Sequence, residues 1–97
     1  QFIYAESDGN YVVFHLAIEN QIHTELIRNS LSEIEQQLSR VDYFIRIHRA
    51  FIVNVKKVKS KKGNSLGYRL KLFGTAMEIP VSRQKVQSFD QLLKQFK

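Results

Sequence analysis

The sequence predicts a mainly β domain with small helices, built from antiparallel β-sheets. Several short segments alternate apolar with polar residues, which is the period of a strand that buries one face. Clusters of Gly, Asn, Asp and Ser separate these segments, as hairpin turns require. Only two segments have apolar residues at helical spacing instead. At 97 residues, the chain is long enough for one domain with a modest core.

The first part of the chain predicts a hairpin followed by a helix. A short apolar strand at 2–5 ends at the turn formers Glu6–Asn10, and residues 11–18 alternate as a further strand. The polar pair Glu19-Asn20 can turn the chain back into a strand at 22–27.

A capping signal predicts where the first helix begins. Ser30 and Glu33 have the S-x-x-E spacing, in which the serine oxygen accepts the N–H of Glu33 and the glutamate reaches back to Ser30. Three apolar residues follow at helical spacing, so we expect a short helix over 31–39 that covers a sheet. They are Leu31, Ile34 and Leu38.

The second half is richer in strands. Segments 43–47 and 51–58 carry many β-branched and aromatic residues, and we expect Arg46–Ala50 between them to be an exposed bend. A lysine-rich hairpin tip at 61–65 leads into a strand over 68–72 with a basic outer face.

An edge strand and a second helix complete the prediction. Met77, Ile79 and Val81 alternate, and Pro80 among them indicates an edge strand or a bulge. Ser82 is the candidate N-cap of the last helix. One stripe of that helix carries Val86, Phe89, Leu92, Leu93 and Phe96. The part before the first helix is counted as one two-stranded hairpin, so the predicted order of elements is roughly β-β-α-β-β-β-β-α.

Charge is distributed unevenly along the chain. Residues 1–42 carry two basic and seven acidic side chains, a net charge of −5. Residues 43–97 carry thirteen basic and two acidic side chains, a net charge of +11. Such asymmetry indicates a nucleic-acid or other anionic partner, with solubility as the alternative.

Composition argues against several other classes of protein. The chain has no cysteine, so disulfides and thiolate metal sites are excluded, which fits the cytosol. No apolar run approaches the roughly 18 residues that span a bilayer, and there is no secretory leader. We therefore expect a cytoplasmic domain without membrane contact.

Catalysis is not expected. His15, His23 and His48 have no metal-ligand spacing, and there is no glycine-rich phosphate loop. We expect His15 and His23 on the solvent faces of a hairpin. The sequence therefore predicts no metal site, no cofactor and no enzyme activity.

Lysines form one group of basic side chains. They are suited to diffuse attraction to phosphates and poorly suited to base reading, and a solvated hairpin is an equal alternative. The group comprises Lys56, Lys57, Lys59, Lys61 and Lys62.

Arginines form the second group. Arg46, His48 and Arg49 lie in one bend, and Arg83 lies in the segment Ser82–Lys85 at the start of a helix. A guanidinium can bond bidentately to guanine in the major groove, and a helix N-terminus favours phosphate. A salt bridge over apolar surface is the alternative for any single arginine, but the two clusters have few acidic neighbours in sequence.

Four segments together resemble one family. Phe44–Asn54, with the sequence FIRIHRAFIVN, resembles the signature F-x-R-x-H-[basic or polar]-S-x-x-V-N of the LytTR (AlgR/AgrA-like) family of bacterial response-regulator output domains. Segments 3–12, 27–31 and 79–83 resemble further parts of the family pattern in the same order. The resemblance covers nearly the whole chain.

The resemblance implies a fold and a set of contacts. The family fold is an elongated stack of antiparallel sheets that binds double-stranded DNA with loops in successive major grooves. Mapped by motif, the resemblance implies base reading by Asn10, Tyr11, Arg49 and Arg83. It implies backbone contacts by Arg46, His48, Ser82 and Lys85, to which Lys61 and Lys62 would add diffuse contacts.

The chain departs from the family pattern in two places. Ala50 stands where the family usually has serine, and the family's first strand, which precedes the position of Phe2, is absent. We therefore interpret residues 1–97 as one LytTR-like domain from a longer protein, with an unpaired sheet edge. The resemblance also implies an upstream receiver or sensor domain and a dimer on direct-repeat DNA.

Two alternatives to duplex DNA binding stay open. A β-rich RNA or single-strand binder would stack bases on exposed aromatic residues, for which Tyr11, Tyr43 and Tyr68 are candidates. A protein-interaction module would use the basic face to dock an acidic partner.

Overall fold

Eight strands form two antiparallel sheets in the computed structural model of the chain, which describes residues 1–97. The strands are β1 (Phe2–Asp8), β2 (Tyr11–Ile18), β3 (Gln21–Arg28), β4 (Phe44–His48), β5 (Phe51–Asn54), β6 (Val58–Asn64), β7 (Gly67–Leu72) and β8 (Ile79–Val81). The helices are α1 (Leu31–Gln37) and α2 (Val86–Phe96), with 3-10 turns at Val55–Lys57 and Arg83–Lys85. The first sheet has the order β3-β2-β1-β5-β4, and the second has the order β6-β7-β8. The prediction of a mainly β, antiparallel fold is confirmed.

The first sheet is covered on both faces except at β3, whose residues are all exposed. One face packs on α1, where Ala5, Val12 and Ile52 meet Leu31 and Ile34. The other face packs on the second sheet and α2. This larger core contains Ile3, Tyr4, Ile47, Phe51, Val53, Val55, Val58, Leu70, Leu72, Ile79, Val81, Val86 and Phe89. Burial of these apolar side chains is the main force that holds the layers together.

The first helix has half of the predicted capping box. The Ser30 hydroxyl accepts the Glu33 N–H at 3.1 Å, but the Ser30 N–H donates to the Asn29 side chain at 2.8 Å and not to Glu33. The α1 helix ends at Gln37, and Leu38 is its C-cap, so it is two residues shorter than the predicted 31–39.

The observed order has one more strand on each side of α1 than the predicted order. Before α1, the segment 2–8 is a full strand that pairs with both β2 and β5. After α1, the predicted strand 51–58 is divided by the 3-10 turn at Val55–Lys57. The side chain of Asn54 accepts the Lys56 N–H and donates to the Phe2 carbonyl, each at 2.9 Å. This buried side chain ends β5, and the chain then enters the second sheet.

The β2–β3 hairpin forms at the predicted pair. Glu19 and Asn20 have φ values of 52° and 65°, as the type I′ turn of a two-residue hairpin requires. All eight residues of β3 pair with β2 in continuous register.

The prediction for His15 was wrong. Its ring stacks on Tyr4, with 4.0 Å between centroids, and its Nε2 lies 3.0 Å from a carboxylate oxygen of Glu6. The face of β2 that carries His15 lies toward the second sheet and not toward solvent. His23 is exposed, as predicted.

The end of the chain follows the prediction with two corrections. Strand β8 begins at Ile79, so Met77 lies before the strand and is exposed. The Pro80 strand, β8, is the edge of the second sheet, and the five predicted apolar residues of α2 all contribute to the larger core. Ser82 does not cap α2, because a 3-10 turn intervenes and the Ser82 side chain forms no capping hydrogen bond. Neither α1 nor α2 has the length and apolar character of a membrane-spanning helix.

Candidate nucleic-acid interface

Three loops meet at one end of the first sheet. Because the five strands alternate in direction, β1, β3 and β4 end where β2 and β5 begin. The loops are the β1–β2 turn with the first residue of β2 (residues 9–11), the β4–β5 turn with the last residue of β4 (48–50), and the segment 82–85 that follows β8. We call them the three-loop edge.

Backbone hydrogen bonds connect the loops to their neighbours. The Ser7 N–H donates to the Ala50 carbonyl at 3.0 Å, and the Ser82 N–H donates to the Ile47 carbonyl at 2.8 Å. The three loops therefore have fixed relative positions, although they are far apart in sequence.

The β1–β2 turn presents Asn10 and Tyr11. Gly9 adopts a φ of +60°, which a glycine accepts without strain. The Asn10 carbonyl accepts the Asn29 N–H at 3.2 Å, and both predicted residues are exposed. Tyr11 begins β2 opposite Arg28 of β3, so a basic side chain that motif reasoning did not single out lies beside it.

The β4–β5 turn is narrower than the bend that was predicted. Strand β4 continues through His48, so only Arg49 and Ala50 form the turn, and Arg49 is exposed. It forms no ion pair within the domain, so its guanidinium is available to a ligand.

Arg46 is bound to the protein itself. One terminal nitrogen lies 2.9 Å from the Ser32 hydroxyl and 3.1 Å from a carboxylate oxygen of Glu35. The other lies 2.6 Å from the Arg49 carbonyl, and Nε lies 3.4 Å from the His48 carbonyl. These contacts use four of the five guanidinium N–H donors. The geometry favours support of the turn over the phosphate contact that the resemblance implied.

The surroundings of His48 favour the neutral form of its ring. Its Nδ1 lies 3.1 Å from the Ala50 backbone nitrogen and accepts that N–H. Burial lowers the pKa of His48, and the positive charges of Arg49 and Arg46 lower it further. With Nδ1 engaged as an acceptor, the proton of the neutral ring is on Nε2. That N–H can donate to an anionic oxygen.

The segment after β8 presents the third cluster. Arg83 and Gln84 are exposed, while Ser82 and Lys85 are half-buried. Arg83, like Arg49, is in no ion pair. Ser82, Gln84 and Lys85 line one open groove with residues of the β4–β5 turn, so the second and third loops form a continuous surface.

The two lysines predicted for diffuse contacts lie in β6 and have acidic partners. Lys61 lies 2.8 Å from a carboxylate oxygen of Asp90, and Lys62 lies 3.3 Å from one of Glu78. The hydrogen bond with Asp90 is the main cause that raises the pKa of Lys61. Burial opposes ionisation of Asp90, but the hydrogen bonds from Lys61 and Tyr68 outweigh it and lower the pKa of Asp90. Both pairs reduce the net positive charge that these lysines offer to a partner.

No group of three or more His, Asp or Glu side chains is arranged to hold a metal ion. The concentration of arginines and exposed polar groups at one edge instead suits an extended anionic ligand.

The sequence of residues 1–94 matches the family model of the LytTr DNA-binding domain, LytTR. The chain belongs to this family.

One relative of this LytTR domain is named as a transcriptional regulator and another as a response regulatory protein. The chain is 32% identical over 92 residues to the CO-responsive transcriptional regulator RcoM of Rhodospirillum rubrum. This match covers 94% of the chain and 37% of RcoM. The chain is 29% identical over 83 residues to an uncharacterized response regulatory protein of Vibrio cholerae. This match covers 86% of the chain and 31% of that protein. The LytTR domain thus spans about a third of the length of these two relatives.

A solved structure shows the same fold. It is a LytTr DNA-binding domain from a Bacillus cereus protein described as a methyl-accepting/DNA response regulator, with a TM-score of 0.74 and 30% identity. The match covers 95% of this chain and 80% of that one. The resemblance drawn from sequence segments is thereby confirmed over almost the whole LytTR domain.

Sequence reasoning missed the residues that support the edge. Ser32 and Glu35 of α1 hold Arg46, and Asn29 holds the β1–β2 turn. The only signal for them was the position of α1 directly after β3, which places the start of the helix at the three-loop edge.

Proposed function

We propose that this domain binds double-stranded DNA sequence-specifically as the output domain of a bacterial transcriptional regulator, with the three-loop edge in successive major grooves. One observation carries the proposal: Arg49 and Arg83 project unpaired from two loops that backbone hydrogen bonds hold at one edge. Free guanidinium groups at fixed positions can form the bidentate contacts that identify guanine.

The size of the domain supports the groove assignment. Its principal extents are 33 × 28 × 24 Å, and one turn of B-DNA is about 34–36 Å long. A domain of this size can extend along about one helical turn of the duplex. We assign base reading to Asn10, Tyr11, Arg49 and Arg83.

The residues between the reading positions have a second role. His48 donates a hydrogen bond from its Nε2–H to a phosphate. Ser82 and Lys85 contact the DNA backbone near the base pair that Arg83 reads. Arg46 acts through Arg49 by fixing the turn. Lys61 and Lys62 contribute a weak, sequence-independent attraction, because each already faces a carboxylate.

The alternative of single-strand binding has less support in the structure. Tyr43 packs against Phe44 and Phe96, and the Tyr68 hydroxyl donates to Asp90 at 2.7 Å. Of the three candidate stacking residues, Tyr11 alone is exposed, and one exposed ring is not a stacking platform.

The wider biology follows the family. We propose that the domain acts in the cytoplasm within a longer protein, that a receiver or sensor domain controls it, and that two copies occupy direct repeats. The names of the two relatives, a CO-responsive transcriptional regulator and a response regulatory protein, support this assignment.

A competition experiment tests the proposal. Duplex DNA, the separated strands and RNA of the same sequence are titrated with the domain over a salt series, after a preferred duplex has been selected from a random library. We expect the selected duplex to bind more tightly than the single strands or RNA, with log affinity falling by about 0.9 per phosphate contact for each unit of log salt. Equal affinity for duplex and single strands would refute the proposal.

A further inference from the structure

The outer edge of β3 lacks several features that protect sheet edges against the addition of another strand. The strand pairs with β2 alone, its eight residues are all exposed, and its register has no bulge. It contains no lysine and no proline, the residues that commonly block strand addition. Its unpaired backbone groups are therefore open to another strand.

Apolar side chains add to this exposure. Leu26 is 61% exposed, and Ile22 and Ile27 are also largely open to solvent. Their alternation places Ile22 and Leu26 on one face of the sheet and Ile27 on the other. An added strand would cover apolar surface on both faces while it satisfies the free backbone groups.

The sequence of β3 is complementary to itself in one antiparallel register. With a two-fold axis at Thr24, Ile22 lies opposite Leu26 of a second copy, so apolar side chains meet on one face. His23 lies opposite Glu25 of the second copy, so an imidazole meets a carboxylate on the other face. Cross-strand pairs of these kinds stabilise antiparallel sheets.

The neighbouring registers are poorer. An axis at Glu25 would place two carboxylates opposite each other, and an axis at His23 would place Ile22 opposite Thr24. An axis at Leu26 would leave the first part of the strand unpaired. Chemical complementarity therefore selects the register centred on Thr24.

We propose that β3 is a self-association surface, at which two copies of the chain join their five-stranded sheets into one antiparallel sheet centred on Thr24. The inference does not rest on DNA binding. The two-fold axis points the two three-loop edges in opposite directions, because each edge lies at the Arg28 end of its own β3. This contact is therefore distinct from any pairing of two copies on direct repeats.

Sedimentation equilibrium tests the association. We expect the wild-type mass to rise toward twice the monomer mass as concentration increases, and Leu26→Lys to remain monomeric because it places a charge opposite Ile22 of the second copy. Leu66→Lys is the matched control, since Leu66 is 65% exposed at the tip of the β6–β7 hairpin and should behave as wild type. Wild type that stays monomeric to its solubility limit, or Leu26→Lys that dimerises equally well, overturns the proposal.

Cysteine cross-linking tests the register, since the chain has no cysteine of its own. Directly opposite Cα atoms in an antiparallel pair lie about 4.5–5.5 Å apart, within the range of a disulfide. Under mild oxidation, Thr24→Cys should form a covalent dimer about tenfold or more faster than Ile22→Cys, whose two copies are not opposite. Equal rates for the two variants would refute the Thr24 register.

Discussion

Replacement of Arg46 by lysine keeps a positive charge at the three-loop edge but removes the planar group that joins the β4–β5 turn to α1. The hydrogen bond to the Arg49 carbonyl is 2.6 Å long and involves a charged donor, so it contributes about 1.5–3 kcal/mol. The ion pair with Glu35 is half open to solvent and adds at most about 1 kcal/mol. A lysine can retain one of these contacts, so we expect the free energy of unfolding to fall by about 1–3 kcal/mol.

The effect on DNA binding should be local. With the turn loosened, Arg49 loses its fixed geometry, and discrimination at the base pair it reads should fall by about 1–3 kcal/mol. Discrimination at the base pair read by Arg83 should be unchanged. The salt dependence should also be unchanged, because Arg46 contacts no phosphate in this account and the number of phosphate contacts stays the same.

The assay is a titration of the selected duplex and of its single-base variants with wild type and Arg46→Lys. A second variant, Glu35→Gln, removes one partner of Arg46 but leaves the carbonyl contacts, and should produce a smaller loss of stability. A uniform loss of affinity across all duplexes, with base discrimination intact, would refute a supporting role and assign Arg46 to a phosphate.

Three further predictions concern single side chains. Arg83→Ala should cost about 1–3 kcal/mol on the selected duplex and relax its sequence preference, whereas Lys61→Ala should weaken all duplexes slightly and equally; a greater loss at Lys61, measured on the same duplex set, would show these roles to be reversed. Because the fold lowers the pKa of His48, it disfavours the protonated ring, so the stability that the neutral ring contributes is full above pH 6.5 and is lost as pH falls. Denaturant titrations should show this slope in wild type but not in His48→Asn, which keeps an acceptor for the Ala50 N–H and does not titrate; equal slopes would contradict the assignment. Asn54→Ala should lower the free energy of unfolding by about 1–3 kcal/mol, because it removes the partner of two part-buried backbone groups, while Asn64→Ala at the exposed end of β6 should have a much smaller effect; thermal melts that rank the two variants in the opposite order would disprove the role of Asn54 at the end of β5.

Local chemistry accounts for the parts of the fold that the sequence predicted well. The polar pair Glu19-Asn20 between two alternating segments is enough to predict a hairpin. The missing N–H of Pro80 is enough to predict an edge strand. The stripe from Val86 to Phe96 follows from helical periodicity alone. Each of these features depends on neighbours within a few positions of the chain.

Features that depend on distant contacts were not predicted. His15 alternates as an outward residue, and only the packing of the second sheet on that face shows that it is enclosed with Tyr4. Nothing in the sequence distinguishes Asn54 from other strand residues. Its role depends on the hydrogen bonds of its side chain with the Phe2 carbonyl and the Lys56 N–H. Both depend on which layers pack together, and a single sequence does not show this.

The candidate site divides in the same way. Charge and spacing identified the clusters around Arg49 and Arg83, because free arginines at turns and strand ends are visible in sequence. The same reasoning placed Arg46 in one of these clusters as a contact to the DNA backbone. It did not identify the side chains of Ser32 and Glu35 that bind Arg46, because they lie in another element. The first loop, with Asn10 and Tyr11, was identified by family resemblance alone, and its place beside the second loop became clear through the Ser7–Ala50 hydrogen bond.

Chemical interference footprinting of the domain on its selected duplex measures the central claim most directly. If the three-loop edge reads successive major grooves, methylation of guanine N7 should block binding at two clusters on one face of the duplex, about 10 base pairs apart, and Arg83→Ala should remove the interference from one cluster only. A single continuous cluster, interference confined to the minor groove, or uniform loss of both clusters in Arg83→Ala would contradict the account.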